Sequence, residues 1–290
     1  MTTLAAVPTT GTRPPVGSPA RWPDLLRAEW IKLWSLRSTF VVVAAGPALA
    51  GLSAWKVATG TYSAWPGFPD SFKQIYDPGH DALFPPVFCL LMTIAGVIGA
   101  QTLLGETAGG LIRTTFMAVP NRSRVLLAKA GVLTAVLTAM GALVAVLTWS
   151  VTLACYADRI AAFSWSTPGL GRWALATVVA FPVSGLIGMA VAALVRNTAA
   201  TVFALFVNFV MVPLFAGGSS TLDTLFHTGQ LFTFVTNSLP FSGWIFLTAL
   251  GPTGGIVGHH PSAAHGWISF GAWAVGSLAV VVAAFRSRDV

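Results

Sequence analysis

Residues able to do chemistry are scarce in this 290-residue sequence, and their spacing excludes most chemistries. Three of the five histidines, His259, His260 and His265, lie close together in the chain. Their spacing fits no metal-ligand template, and no carboxylate or cysteine stands beside them in that Gly- and Pro-rich stretch. A plain external loop is the expectation there. Cys89 and Cys155 fall in apolar stretches and read as buried thiols rather than a disulfide. No Gly-x-x-x-x-Gly-Lys-Ser/Thr occurs, so the chain has no loop to cradle nucleotide phosphates, and any use of ATP must come through a partner. No cluster of His, Asp or Glu marks an enzyme. Neither a cofactor, a metal nor a nucleic-acid partner is expected.

The groups that remain are charges gathered in two segments. The first is 23–37. Pro23 suits the first helical position and Asp24 the positive end of the dipole. Trp22, Leu26, Trp30, Leu33 and Trp34 share a sector of about 120° on a helical wheel, while Arg27, Lys32 and Ser35 lie outside it. Indoles at headgroup depth and cations over anionic lipid make an interfacial elbow helix, which includes Glu29. The second segment is 105–129. Glu106 leaves one apolar stretch, a turn at Gly109-Gly110 leads into a short helix around Arg113, Thr114 and Thr115, and Pro120 breaks it. A basic stretch, Arg122 to Lys129, leads into the next apolar stretch. A helix too polar to insert and too short to stand alone is a docking element in form. For Glu106 two roles stay open: a coupling ion pair, to a partner or to Arg113, or a solvated carboxylate at headgroup level. Arg122, Arg124 and Lys129 read as anchors on the cytoplasmic side.

Membrane spans must position these segments. Charged residues are 9% of the chain, against roughly 25% in a soluble domain, while 55% are hydrophobic. With a mean hydropathy of +0.75, the chain is neither a soluble domain nor a disordered one. Charges near the bilayer centre are costly, so the gaps between them count the spans. The uncharged gaps after Arg37, Asp81, Lys129, Arg172 and Arg196 hold 18, 24, 28, 23 and 26 residues, and the gap after Asp223 holds 62. With about 20 residues per crossing, the sequence predicts an all-α protein with six spans near 39–57, 85–104, 130–156, 173–195, 197–217 and 266–285. Asn237-Ser238-Leu239-Pro240 interrupts the apolar stretch 231–250, which reads as an external re-entrant hairpin between spans five and six. Residues 1–22 read as a disordered cytoplasmic tail, and 58–84 as a long first external loop. With both termini cytoplasmic, 12 Lys and Arg fall on the inner side and 4 on the outer. Twelve Arg against four Lys, with heavy use of Ala and Gly, points to a GC-rich bacterium and its plasma membrane.

Two stretches carry a family resemblance. Gly105-Glu106, Gly110, Ile112-Arg113-Thr114-Thr115, Ala118-Val119-Pro120, Arg122 and Ala128-Lys129 form one. Leu26-Arg27-Ala28-Glu29-Trp30-Ile31-Lys32-Leu33 with Leu36-Arg37-Ser38-Thr39 forms the other. The chain resembles, from about Leu25 to Arg286, the permease subunits of type-2 ATP-binding-cassette exporters. That resemblance implies a half-transporter that pairs with a second permease chain, identical or not. It also implies a separate ATPase subunit docked under each, with 106–129 as the main coupling loop and Arg196 in a second contact. Within the spans the polar residues are Gln101, Thr134, Thr138, Ser184, Thr201 and Asn208. A pathway so poor in charge disfavours an ion-coupled secondary transporter and suits an apolar or amphipathic cargo. A non-transporting anchor or sensor that binds an ATPase is not separable from an exporter by sequence.

Overall fold

The computed structural model describes residues 21–35, 37–108, 122–156, 164–216, 219–250 and 262–286. Among them every regular element is helical. In chain order the helices are α1 (Trp22–Ser35), α2 (Arg37–Ala64), α3 (Asp70–Ile75), α4 (Pro78–Ala82), α5 (Pro85–Ala108), α6 (Arg122–Tyr156), α7 (Leu170–Val195), α8 (Thr198–Phe206), α9 (Val212–Ala216), α10 (Ser219–Leu225), α11 (Leu231–Asn237), α12 (Pro240–Thr248) and α13 (Ala263–Arg286). Among the described residues six stretches are long and apolar enough to cross a membrane: Thr39–Gly67, Pro85–Glu106, Arg122–Tyr156, Leu170–Val195, Thr198–Phe215 and Ala263–Arg286. The chain is therefore an all-helical, multi-pass membrane protein. The tail before Arg21 and the expected helix within 109–121 lie outside the described residues.

The six spans are those the charge gaps predict, but two boundaries move. The first span does not end at 57: α2 runs unbroken to Ala64, and the rest of 58–84 folds into a 3-10 turn at Trp65–Gly67 and the short helices α3 and α4. Six aromatic rings between Tyr62 and Phe84 give that segment enough apolar surface to fold back on the bundle. The basic stretch before span three is not a loop either. It is the first two turns of α6, which starts at Arg122.

Helix α7 is the centre of the bundle, with α5, α6, α12 and α13 around it. Glycine permits its closest contact. A Cβ built on Gly188 would lie 1.8 Å from the carbonyl oxygen of Gly96, and one on Gly99 would lie 1.9 Å from that of Gly185. The backbones of α5 and α7 thus touch at two glycine pairs, the packing that membrane helices use when lipid offers no hydrophobic drive. Spans two and four are consequently 67% buried, whereas the fifth is 17% buried and shows Phe203, Leu214 and Phe215 on its outside. That fifth span carries a π-turn at Val207–Met211, where the amide of Val212 bonds the carbonyl of Val207. Pro213 has no N–H to give Phe209, and the ladder widens by one residue to absorb the loss.

The bundle has two unlike ends. The end of α5, the start of α6, the α7–α8 turn and the close of α13 share a basic end. The opposite end is rich in aspartate, with Asp77, Asp81 and Asp223. There α11 and α12, seven and nine residues long, break at Ser238–Leu239, and neither can cross a bilayer. Asp223 organises this part by accepting hydrogen bonds from the amides of Phe232 and Thr233 at 2.8 and 2.9 Å. Although Asp223 is enclosed, which opposes its charge, these bonds and that of Thr228 lower its pKa to about 2. Arg172 donates to the carbonyls of Leu247 and Ala249 at 2.9 and 2.6 Å, fastening the end of α12 to the start of α7.

Candidate functional site

At the basic end, α1 lies against α6 and turns Leu25, Glu29 and Leu33 inward. This is not the face that the tryptophans mark. Trp22 and Trp30 are 45% and 46% exposed, and Leu26 and Trp34 pack at the edge of the Leu33–Val132–Val136 contact. The inward face is chosen by a carboxylate, not by an indole. Glu29 is 6% exposed, and its partner is Lys129, 5% exposed, in the second turn of α6. The expectation that Lys129 is a headgroup anchor is corrected accordingly.

Four side chains close into a ring. Lys129 Nζ donates to Glu29 Oε2 at 2.5 Å and to Glu106 Oε1 at 3.0 Å. Lys32 Nζ donates to Glu29 Oε1 and to Glu106 Oε1, both at 2.9 Å. Acid and base alternate around the ring, and its formal charge sums to zero. Each charge therefore has two opposite neighbours, which is what a group removed from water requires. Burial works against the charge on Lys32, but the bonds and fields of Glu29 and Glu106 outweigh it and hold its pKa above the ordinary value. Glu106 is 9% exposed, so a water-solvated carboxylate is ruled out. Its partners are lysines of α1 and α6.

The ring is placed by chain geometry. Glu106 sits in the last turn of α5, and Lys129 two turns into α6, so the pair bridges the two helices that flank the 109–121 segment. Residues 29 and 32 lie on adjoining turns of α1, which brings both to the same pair. The arrangement offers no nucleophile and no general base poised over a substrate. It can instead transmit force, because α1, α5 and α6 cannot move apart without exposing a buried charge.

A second contact joins α6, α7 and α13. Arg122 donates to the carbonyl of Phe285 at 3.4 Å, and the guanidinium of Arg196 lies 5.9 Å from the Phe285 ring. Arg196 closes α7 with φ +54°, and Asn197 caps α8 by accepting from the amide of Ala200 at 3.0 Å. Arg286 adds a bond to Ser123 at 3.3 Å. Two of the expected coupling residues, Arg122 and Arg196, are thus brought to one phenylalanine. Gly110, Arg113, Thr114, Thr115 and Pro120 lie outside the described residues.

The sequence reading missed a buried carboxylate at the opposite end. Asp81, 4% exposed, accepts hydroxyl hydrogen bonds from Thr61 and Tyr76, each at 2.5 Å, and from Tyr156. These tie α4 to the far ends of α2 and α6. Burial opposes the charge on Asp81, but His80 and the three hydroxyls outweigh it and lower its pKa, while burial beside this anion raises that of Tyr76. Asp77 likewise caps α4 through the amide of Gly79 at 2.8 Å and accepts from the amide of Leu250 at 2.7 Å. The aromatic density of 62–84 was the available signal that this is a folded segment.

Among the described residues no three His, Cys, Asp or Glu side chains gather where a metal could sit. His259 and His260 lie outside them, and His265 approaches the carbonyl of Asn237 at 3.3 Å. The sequence matches no protein-family model and no curated protein. The reading of the site therefore rests on its geometry and on the sequence pattern around it.

Proposed function

We propose that this chain is the membrane-spanning permease subunit of an ATP-driven exporter. In this reading the basic end is cytoplasmic, a separate ATPase subunit docks on the loop 105–129, and a second permease chain completes the pathway. Helix α1 serves as the interfacial elbow, and α11–α12 as an external re-entrant hairpin. One observation carries the proposal: the Glu29–Lys32–Glu106–Lys129 ring braces both flanks of the 109–121 segment and ties them to α1. A push on that segment cannot be absorbed by local bending and passes as rigid motion into α5 and α6. Through the glycine contact of α5 with α7 it then reaches the centre of the bundle. Among the described residues the middles of spans two to six hold no Asp, Glu, Lys or Arg, and Lys56 of span one is exposed on the outside of the bundle, which favours motion driven by a partner and an apolar or amphipathic cargo.

The test begins with purification of the full chain from its native membrane. An ATPase subunit should co-purify, and Arg113→Glu should abolish both that association and vanadate-sensitive export while the protein still inserts. Unchanged coupled turnover in the variant removes Arg113 from the contact. Recovery of the chain without any ATPase, under conditions that keep membrane complexes intact, removes the exporter reading.

A further inference from the structure

Beside the charge ring lies a cavity of about 290 Å³ between α1, α2, α5 and α6. It is at the lower end of the roughly 300–1,000 Å³ of ligand pockets. Its lining changes character along its length. On α5 it runs from Glu106 and Gly105 through Gln101 to Ile98, and on α6 from Lys129 to Val132 and Leu133. Both series pass from the end of the bundle towards the middle of the spans, and both turn from charged to apolar. The rim residues Lys32, Ser35, Gln101 and Gly105 are exposed, whereas Ile98, Val132 and Leu133 are buried. The cavity thus reproduces the polarity gradient of a membrane leaflet, and an occupant must be amphipathic in the same sense.

The ring decides which head group fits. An ammonium has three donors, and Lys32 uses two of them on Glu29 and Glu106. Glu106 takes both lysines on Oε1, and among the described residues nothing donates to its Oε2. Lys32 and Glu106 both line the cavity, and the ring leaves one N–H of the first and one carboxylate oxygen of the second without a partner among the described residues, on a framework of zero net charge. An anionic head group meets the donor but is repelled by the acceptor. A quaternary ammonium has no N–H for the acceptor. A head group with a phosphate and a primary ammonium satisfies both.

We propose that this cavity binds the head group of a zwitterionic phospholipid bearing a primary ammonium, with its phosphate on Lys32, its ammonium on Glu106 Oε2, and the first carbons of its chains against Ile98, Val132 and Leu133. The inference requires only that the chain spans a membrane and stands apart from the exporter reading.

The test uses the purified full chain in detergent with three phospholipids of identical acyl chains, read by native mass spectrometry. Phosphatidylethanolamine should be retained about tenfold better than phosphatidylcholine or phosphatidylglycerol, the worth of one charge-assisted hydrogen bond. Lys32→Met removes the phosphate contact that the three lipids share, so it should lower the retention of all three about tenfold, and because Lys129 still joins Glu29 to Glu106 the variant should keep its elution profile and helicity. A fourth arm adds water-soluble glycerophosphoethanolamine as competitor. It should displace the lipid poorly, since it lacks chains for the apolar wall. Equal retention of the three lipids by the wild type, or retention that Lys32→Met leaves unchanged, overturns the proposal. Full displacement by the soluble head group at equal concentration overturns the assignment to a lipid.

Discussion

Lys129 and Lys32 belong to one ring but should differ greatly in weight. The Lys129 side chain is 5% exposed and its two carboxylate partners are 6% and 11% exposed, whereas Lys32 is 44% exposed. Removing a partner from a buried ion pair leaves an uncompensated charge, at a cost of about 3–5 kcal/mol, while an exposed pair contributes roughly 0–1 kcal/mol. Lys129→Met should therefore lower the unfolding free energy in detergent micelles by several times the loss from Lys32→Met. Adding Glu29→Gln to Lys129→Met should recover part of that loss, because the stranded carboxylate goes with it. Equal effects of the two lysine variants would show that water reaches the ring. At the other end, the folded-state pKa of Asp81 lies below its unfolded value. The contribution of its charge is then fully present above about pH 4 and disappears as the pH falls through the lower folded value. The stability gap between wild type and Asp81→Asn should be constant near neutrality and narrow only below pH 4. A gap that closes between pH 5 and 7 would mean that Asp81 is not held as an anion.

At the scale of elements, α5 and α7 depend on glycine as a surface. A Cβ at Gly188 would stand 1.8 Å from backbone that cannot yield without moving a helix, whereas one at Gly276 on α13 would meet nothing within 4 Å. Gly188→Ala should cost at least the 1–3 kcal/mol of an overpacked core, and Gly276→Ala should be neutral or stabilise by about 0.5–1 kcal/mol through helix propensity. Thermal unfolding of the two variants side by side checks this. The contrast also marks what the sequence could disclose. Span number and order were legible because a charge in mid-bilayer is costly wherever it occurs, and no partner is needed to know it. Glu106 was legible as an acid at a membrane edge. Its partners were not, because the burial of Glu29 depends on Lys129, one hundred residues away in the chain. A helical wheel sees only its own helix. It marked the sector of the tryptophans, whose rings the structure leaves half exposed, and gave no sign that Glu29 faces inward. The folding of 58–84, read only as a long external loop, was not legible for the same reason: Asp81 is buried against Tyr156, 75 residues away in the chain.

For the whole molecule, the two ends differ in charge, and that difference fixes an orientation that can be measured. Arg122, Arg196 and Arg286 converge at one end, each held by protein contacts, while Asp81 and Asp223 are buried and Asp77 half-buried at the other. Basic residues near span ends stay on the cytoplasmic side during insertion, whereas acidic ones contribute little, so the basic end should face the cytoplasm. Single cysteines can report this once the native thiols, buried Cys89 and half-buried Cys155, are replaced by alanine. Ser71 on α3 and Ala199 on α8 are exposed at opposite ends of the bundle. In intact cells a membrane-impermeant maleimide should modify Ser71→Cys and leave Ala199→Cys untouched, and lysis should make both reactive. The reverse pattern would place the 109–121 segment outside the cell, where no ATPase could dock, and would end the exporter reading while leaving the charge ring and the cavity beside it as they are. Labelling of both positions in intact cells would mean an even number of crossings between them, and the second, third and fourth spans, which lie between the two positions, are where the count would have to be revised.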